Sequence, residues 1–335
     1  MTWVDAGDAG GRVPGPAVLV GYGRAGRELH HRALRAQFGD RLEVLVVDPA
    51  LPQAPQGVPV LPTVAAAAAR VPVAQAVFHV TTPPAVHLEC VRELVALGAR
   101  RIVLEKPIAP TAAEARELER LGEVAEILPV SIWPSSRITA RVRELIAAGE
   151  IGEPVSLHME QSKPRFARTA ANRAHDTAFE VEMPHQVLLA LELGGPARLL
   201  SALHWPLPLP DRTVPAMGGA LLRLEHADGR ISTLLSDLTA QVRRRHLRIT
   251  GTRGELLADY PVSGEDPYGQ LRIAGRPGRE VIEDAPLDQF LAAAYARFAD
   301  ASAPAPGSLA EHRRTIDLLA EARETATEWP LEVPA

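Results

Sequence analysis

Lys106 and Lys163 are the only two lysines among 36 basic residues, so arginine supplies almost every positive charge in this chain. A desolvated ammonium can release its proton near neutral pH, whereas a guanidinium keeps its charge. A sequence that prefers arginine elsewhere keeps lysine where a compact, tunable proton donor is needed, and Lys106 stands first for that role with Lys163 as the other candidate. The plain alternative is a surface lysine. Lys106 lies in Glu105-Lys106-Pro107, directly after the strand-like run Arg101-Ile102-Val103-Leu104.

A second set of residues carries phosphate chemistry. Ala17-Val18-Leu19-Val20 runs into Gly21-Tyr22-Gly23-Arg24-Ala25-Gly26, followed by a helical pattern through Leu29, Ala33 and Leu34. The run Leu42-Glu43-Val44-Leu45-Val46-Val47 then predicts another strand, closed by Asp48-Pro49. Strand, glycine turn, helix, strand and acid in this order form a dinucleotide fingerprint. Gly21 makes the tight turn, Gly23 admits the pyrophosphate to the backbone, and Gly26 lets helix pack on strand. The helix N-terminus offers unpaired N–H groups to phosphate. Asp48 would accept from the adenosine ribose hydroxyls and repel a 2′-phosphate, which favours NAD over NADP; Arg24 would weaken that preference or simply be a solvated turn residue.

These groups need a frame. Gln75-Ala76-Val77-Phe78-His79-Val80 predicts a strand ending in Thr81-Thr82-Pro83-Pro84, a helix follows over about 86–97, and Gly98 stops it. In an open parallel sheet, ligands bind at the carboxyl ends of the strands. Thr82, Pro83 and Lys106 fall on that edge beside the glycine turn. The chain of 335 residues is long enough for two domains with real cores. Its 46% apolar and 23% charged residues are ordinary for a globular protein, and a net charge of −5 gives no basic footprint for nucleic acid or acidic membrane. A single cysteine, Cys90, excludes an intramolecular disulfide and a cysteine-rich metal site, and no zinc spacing appears, so no metal is expected. Residues 1–16 lack a long apolar segment, no run of about 18 apolar residues exists, and a cytoplasmic protein is the expectation. No tyrosine has lysine four residues on, and no G-x-S-x-G elbow is present.

In these motifs the chain resembles the Gfo/Idh/MocA family of oxidoreductases. The resemblance rests on the glycine turn 21–26, on Thr82-Pro83-Pro84-Ala85-Val86-His87 and on Glu105-Lys106-Pro107. It continues in 145–154 (Leu145 to Pro154, a helix-to-sheet junction) and in 249–256 (Ile249 to Leu256, a late strand-turn-strand). It implies an α/β fold: an N-terminal Rossmann domain, doubly wound around a parallel sheet, then an α+β domain with a large open, mostly antiparallel sheet. The expected limits are a flexible N-terminus 1–16, the dinucleotide domain 17–128, a substrate and oligomerisation domain 129–308, and a C-terminal helix within 309–335 that packs back toward the first domain. The cofactor set implied is Gly21, Tyr22, Gly23, Arg24, Ala25, Gly26, Asp48, Thr81, Thr82, Pro83, His87, Glu105 and Lys106. The resemblance also puts Lys106 beside the nicotinamide and the reacting hydroxyl.

The family's acid/base histidine aligns with His185, but the aspartate expected four residues earlier is Val181. Glu182, one turn from His185, is the candidate substitute, and helix capping is its other reading. His185 is read as general base, or as a core histidine. Further strands are predicted at 154–161, 199–205, 219–225, 230–238, 242–250 and 255–259, and helices at 290–298 and 309–325. The four arginines of 242–248 are read as a solvated strand face that blunts edge pairing, in preference to an anion site. Trp133, Arg137, Lys163, Arg165, His175, Asp176 and His185 are the candidate substrate residues, with core packing or ordinary loop polarity as the alternative. One sheet face without helical cover implies a homodimer or homotetramer through that sheet. The function implied is NAD-dependent hydride transfer at a secondary alcohol or ketone of a sugar, cyclitol or related polyol. Reduction of an imine or another carbonyl, and a non-catalytic NAD sensor, are the alternatives.

Overall fold

The computed structural model describes residues 15–51, 57–171 and 176–329. Two compact units emerge: Met1–Val130 with Leu287–Leu309, and Ser131–Pro286 with Ala310–Ala335.

In the first unit six short strands pair in parallel: β1 (Ala17–Val20), β2 (Val44–Val47), β3 (Val60–Leu61), β4 (Val77–Val80), β5 (Arg101–Leu104) and β6 (Glu126–Pro129). Their order is β3-β2-β1-β4-β5-β6, so the winding reverses between β1 and β4. Every residue of β1, β2 and β4 is buried, as expected for strands covered on both faces. Register fixes the functional edge: Val20 lies opposite Val47 and Val80, and Val80 opposite Leu104. The segments after β1, β2, β4 and β5 therefore leave the sheet level with one another.

The second unit is an open sheet of nine strands: β7 (Pro154–Ser162), β8 (Ala197–Pro208), β9 (Thr213–His226), β10 (Ile231–Asp237), β11 (Arg244–Gly251), β12 (Glu255–Asp259), β13 (Tyr268–Ile273), β14 (Glu280–Glu283) and β15 (Thr327–Glu328). They run in the order β14-β13-β12-β11-β7-β10-β9-β8-β15. Only the β7–β10 and β8–β15 pairs are parallel. Strand alternation turns Leu157, Met159, Leu222, Leu234, Leu247 and Ile249 to one face. There they form one core with Ile138 and Val142 of helix Arg137–Ala147, Val187 and Leu191 of helix Met183–Gly194, and Leu318 of helix Leu309–Thr325. On the opposite face Trp205, Leu221, Leu235 and Trp329 line a cavity of roughly 480 Å³.

Two expectations need correction. The arginine-rich segment is not an edge: β11 is flanked by β12 and β7, and only part of it is solvated. Arg244 and Arg248 are exposed, but Arg245 shares the covered face with Leu247 and Ile249. The segment belonging to the first unit is also different. It is 287–309, carrying helix Pro286–Ala299 with Phe290, Leu291, Ala294, Tyr295 and Phe298 buried, that is grouped with the Rossmann sheet. Helix Leu309–Thr325 stays in the second unit, where His312 Nε2 lies 2.9 Å from Ser131 Oγ and Arg314 donates to the Ala197 carbonyl at 2.6 Å. The reason is apolar content: Leu318, Leu319 and Ala322 complete the second core, whereas Phe38 and His79 of the first unit need Tyr295.

Candidate active site

The glycine turn has the shape of a phosphate cradle. Gly21 sits at φ +89°, a conformation L side chains rarely adopt. A Cβ on Gly26 would stand 2.3 Å from the Gly21 carbonyl oxygen and 2.9 Å from Thr81 Oγ1, so only glycine lets the helix start this close to β1 and β4. Nothing lies within 4 Å of the space above Gly23. The helix opens as a π-helical segment, Ala25–His31, before continuing as the α-helix Arg32–Phe38. Residues such as these, with the backbone open at Gly23, fit a dinucleotide pyrophosphate.

Asp48 stands at the end of β2, half-buried. Its Oδ2 accepts from the Tyr22 N–H at 2.9 Å and its Oδ1 from the Ala50 N–H at 3.0 Å, which fixes the carboxylate against the turn. Arg24 is exposed and paired with Glu28 at 3.4 Å. Thr81 donates its hydroxyl to the Gly21 carbonyl at 2.6 Å, bracing the cradle. His87 is fully buried, with Nε2 2.8 Å from the Thr82 carbonyl and Nδ1 3.2 Å from the Ile108 carbonyl. It ties the Thr82-Pro83 turn to the loop after Lys106, and burial holds its pKa below the usual histidine value despite those hydrogen bonds. Ala25 is half-buried and Pro83 exposed on the same rim.

Lys106 follows β5 on this edge, and beneath it lies a set of partners that the motifs did not announce. Glu105 Oε2 accepts from the Lys106 N–H at 3.0 Å, and Oε1 accepts from His30 Nε2 at 3.0 Å. His30 Nδ1 is 2.9 Å from His79 Nδ1, and His79 Nε2 is 3.0 Å from the Tyr295 hydroxyl. One assignment with both imidazoles neutral satisfies every group: Tyr295 O–H to His79, His79 N–H to His30, His30 N–H to the Glu105 carboxylate. Burial, then the nearby His30, pushes the His79 pKa well down. Burial pushes Glu105 up, but the hydrogen bond from His30 and the nearby Lys106, by its charge and its backbone N–H, outweigh it and leave the carboxyl below its usual range. The signal available in the sequence was His79 itself, a polar residue inside a buried parallel strand that must have a partner.

In the second unit the predicted catalytic and substrate residues gather only in part. Glu182 is buried and occupies the position before helix Met183–Gly194, yet its side chain does not cap the helix. Its carboxylate is bound by Lys163 Nζ. His185 donates its backbone N–H to the Glu182 carbonyl at 3.1 Å, and its ring meets Trp133 edge-on with centroids 6.3 Å apart. Trp133 is buried, in T-shaped contact with Tyr260 at 4.8 Å and with the Arg245 guanidinium 5.3 Å from its ring centre. Lys163 is half-buried; burial, followed by the charges of Arg165, Arg245, Arg168 and Arg243, pushes its pKa down to about 7. Arg165 is buried, its N–H donating to the Leu238 carbonyl at 2.9 Å. Arg137 instead opens its helix at the sheet's far edge, its N–H donating to Asp284 Oδ1 at 3.0 Å. Asp176 is exposed, with its N–H on Glu180 Oε2 at 3.0 Å. His175 lies outside the described residues.

Known proteins share these features. Residues 16–127 match the model of the oxidoreductase family with an NAD-binding Rossmann fold, Gfo/Idh/MocA. A stretch of 97 residues is 31% identical to an uncharacterized oxidoreductase of Schizosaccharomyces pombe, over 28% of this chain and 26% of that protein, so the match spans about a quarter of the relative. Among solved structures, an oxidoreductase from Desulfitobacterium hafniense, provisionally described as NADPH-dependent, superimposes with a TM-score of 0.76 at 15% identity, covering 92% of this chain and 94% of that one. KijD10, a 3-ketoreductase from Actinomadura kijaniata in complex with NADP and TDP-benzene, gives 0.75 at 14% identity, covering 93% and 98%. UDP-N-acetylglucosamine 3-dehydrogenase GnnA from Acidithiobacillus ferrooxidans gives 0.71 at 19% identity, covering 93% and 97%. These structures share the fold over both units. With its glycine turn, Thr-Pro turn and Glu-Lys-Pro edge in register, the segment 16–127 is similar to the NAD-binding Rossmann fold of the Gfo/Idh/MocA oxidoreductase family.

Proposed function

We propose that this protein is an NAD-dependent dehydrogenase acting reversibly at a secondary alcohol or ketone of a sugar, cyclitol or related polyol, in the cytoplasm and as a homo-oligomer through its nine-stranded sheet. The observation that carries the reading is the shared edge: Lys106 leaves β5 level with the glycine turn after β1 and the acid after β2. The sugar 3-ketoreductase and 3-dehydrogenase of the same fold support the substrate class.

The backbone of the turn 21–26 would hold the pyrophosphate and Asp48 the adenosine ribose. The bound nicotinamide supplies or accepts the hydride. Lys106 hydrogen-bonds the reacting oxygen and stabilises alkoxide charge as it develops. Its backbone is held by Glu105, which His30 in turn holds, so the lysine stem leaves the sheet edge from a fixed point. His185 takes the hydroxyl proton in oxidation and returns it in reduction. Glu182, bound to Lys163, serves that neighbouring lysine with its carboxylate and His185 with its carbonyl. The preference for NAD rests on Asp48, with Arg24 drawn to Glu28.

The test joins a polyol and amino-sugar screen, followed at the nicotinamide absorbance, with the variant Lys106→Ala. Turnover falls about 10²–10³-fold in the variant while the Kd for NADH stays unchanged; unchanged turnover refutes the role of Lys106. Titration with NADPH alongside NADH reads the cofactor, and tighter NADPH binding refutes the assignment to Asp48.

A further inference from the structure

The second scarce lysine sits in a concentration of positive charge that the hydride-transfer scheme does not use. Lys163, Arg165 and Arg168 follow β7, and Arg243 and Arg245 come from the neighbouring β11 segment. Burial first, and then the charges of these four arginines, lower the pKa of the lysine. Glu182 alone answers them: among the described residues, Arg165, Arg168, Arg243 and Arg245 have no carboxylate partner, and only Lys163 is paired. Some arginines elsewhere do pair, as Arg141 with Glu280 and Arg143 with Glu192, and the whole chain carries a net charge of −5. Water solvates the exposed Arg168 and Arg243, and Arg245 donates to the Pro261 carbonyl, so it is the buried Arg165 whose charge most needs a partner.

Buried atoms around the cluster point the same way. Arg165 is 4% exposed, yet its Nε has no hydrogen-bond partner among the described residues. Gln161 Oε1 and Trp133 Nε1 are buried and equally without a partner. Gln161 lies directly opposite Arg245 in the β7–β11 register, and the Arg245 guanidinium stands over the Trp133 ring. Burying such groups unpaired is costly, so each is poised to take a partner. Two N–H donors and one acceptor left open beside two guanidinium groups match a ligand with anionic oxygens and a hydroxyl. Arginine forks take carboxylate or phosphate oxygens in pairs.

Building on the hydride-transfer reading, we propose that the substrate carries an anionic oxygen group, a carboxylate or a phosphate, which docks on Arg165, Arg245 and Lys163, with Trp133 and Gln161 receiving an adjacent hydroxyl.

The experiment is isothermal titration of the NADH-loaded protein with matched ligands: glucose, glucuronate and glucose 6-phosphate, then inositol and inositol 1-phosphate. At least one anionic member binds tenfold or more tightly than its neutral counterpart, and the glucuronate and phosphate arms tell which anion is meant. In Arg165→Gln that preference falls at least tenfold while NADH affinity and melting temperature hold; Arg245→Gln gives the same loss from the other strand should the first variant fail to fold. Equal binding of neutral and anionic ligands, no binding of any anionic ligand to NADH-loaded protein, or a preference that survives both substitutions overturns the proposal. The readout is binding, so an anion preference without any absorbance change at the nicotinamide would refute the dehydrogenase reading and leave the anion site standing.

Discussion

Lys106 and Lys163 divide the labour that their scarcity hinted at. Lys106 is held from behind, through Glu105, by buried histidines; Lys163 is pressed from around by guanidinium groups, with burial as the larger force lowering its pKa to about 7. That gives a pH dependence with a definite sign. As pH rises through about 7, Lys163 loses its charge, so affinity for an anionic ligand falls, while the charges of Arg165, Arg168, Arg243 and Arg245 persist and Glu182 stays bound to the same lysine. Lys163→Arg removes the fall, since a guanidinium does not titrate there; titrations between pH 6 and 9 check it, and a flat wild-type profile refutes it. Stability follows from the same shift. Unfolded, the lysine keeps its proton up to 10.5; folded, it releases it near 7, so the unfolded state binds more protons across that window and stability rises with pH there. Lys163→Met flattens this rise, measured as the urea midpoint against pH.

At the level of elements, the sequence disclosed most where chain geometry leaves little choice. Gly21 and Gly26 were readable because a turn with positive φ and a 2.3 Å approach admit no other residue. Gly26→Ala forces helix and strand apart and should destabilise the first unit by about 1–3 kcal/mol and abolish NADH binding; a thermal melt and a fluorescence titration check both, and normal binding refutes the close-packing argument. The four buried-strand patterns β1, β2, β4 and β5 were likewise plain. Among the strands that escaped were the short β3, β6 and β15, and β13 and β14, where Gln270, Arg272, Glu280 and Glu283 bring charge and polarity near a sheet edge. The orientation of Arg245 escaped as well, although its alternation with Leu247 and Ile249 in β11 carried the signal. At the candidate site, residues fixed by motif spacing were legible, whereas the partners His30, His79 and Tyr295 come from separate elements and only the fold brings them together.

On the scale of the whole molecule, the first unit is discontinuous: its first segment ends at Val130, and 287–309 return to it after the second unit has intervened. Helix Pro286–Ala299 brings Tyr295 to His79, Gln37 donates to the Asp288 carbonyl at 2.7 Å, and Arg297 bonds Glu126 Oε1 at 2.5 Å. A chain ending at residue 285 should therefore leave the Rossmann core open and bind NADH at least tenfold more weakly than the full chain; equal affinity refutes the claim that this helix completes the unit. The interruption also sets a timetable for biosynthesis. On a ribosome adding about 5–20 residues per second, the glycine cradle emerges early, but the hydroxyl that closes the histidine chain follows only after residues 131–286 have been made. For that interval, on the order of 10–30 s, His79 and the pocket awaiting Phe290 and Tyr295 stay uncovered on the nascent chain. The nucleotide-binding half, first to be translated, is last to be sealed, and the second unit has time to fold on its own before it.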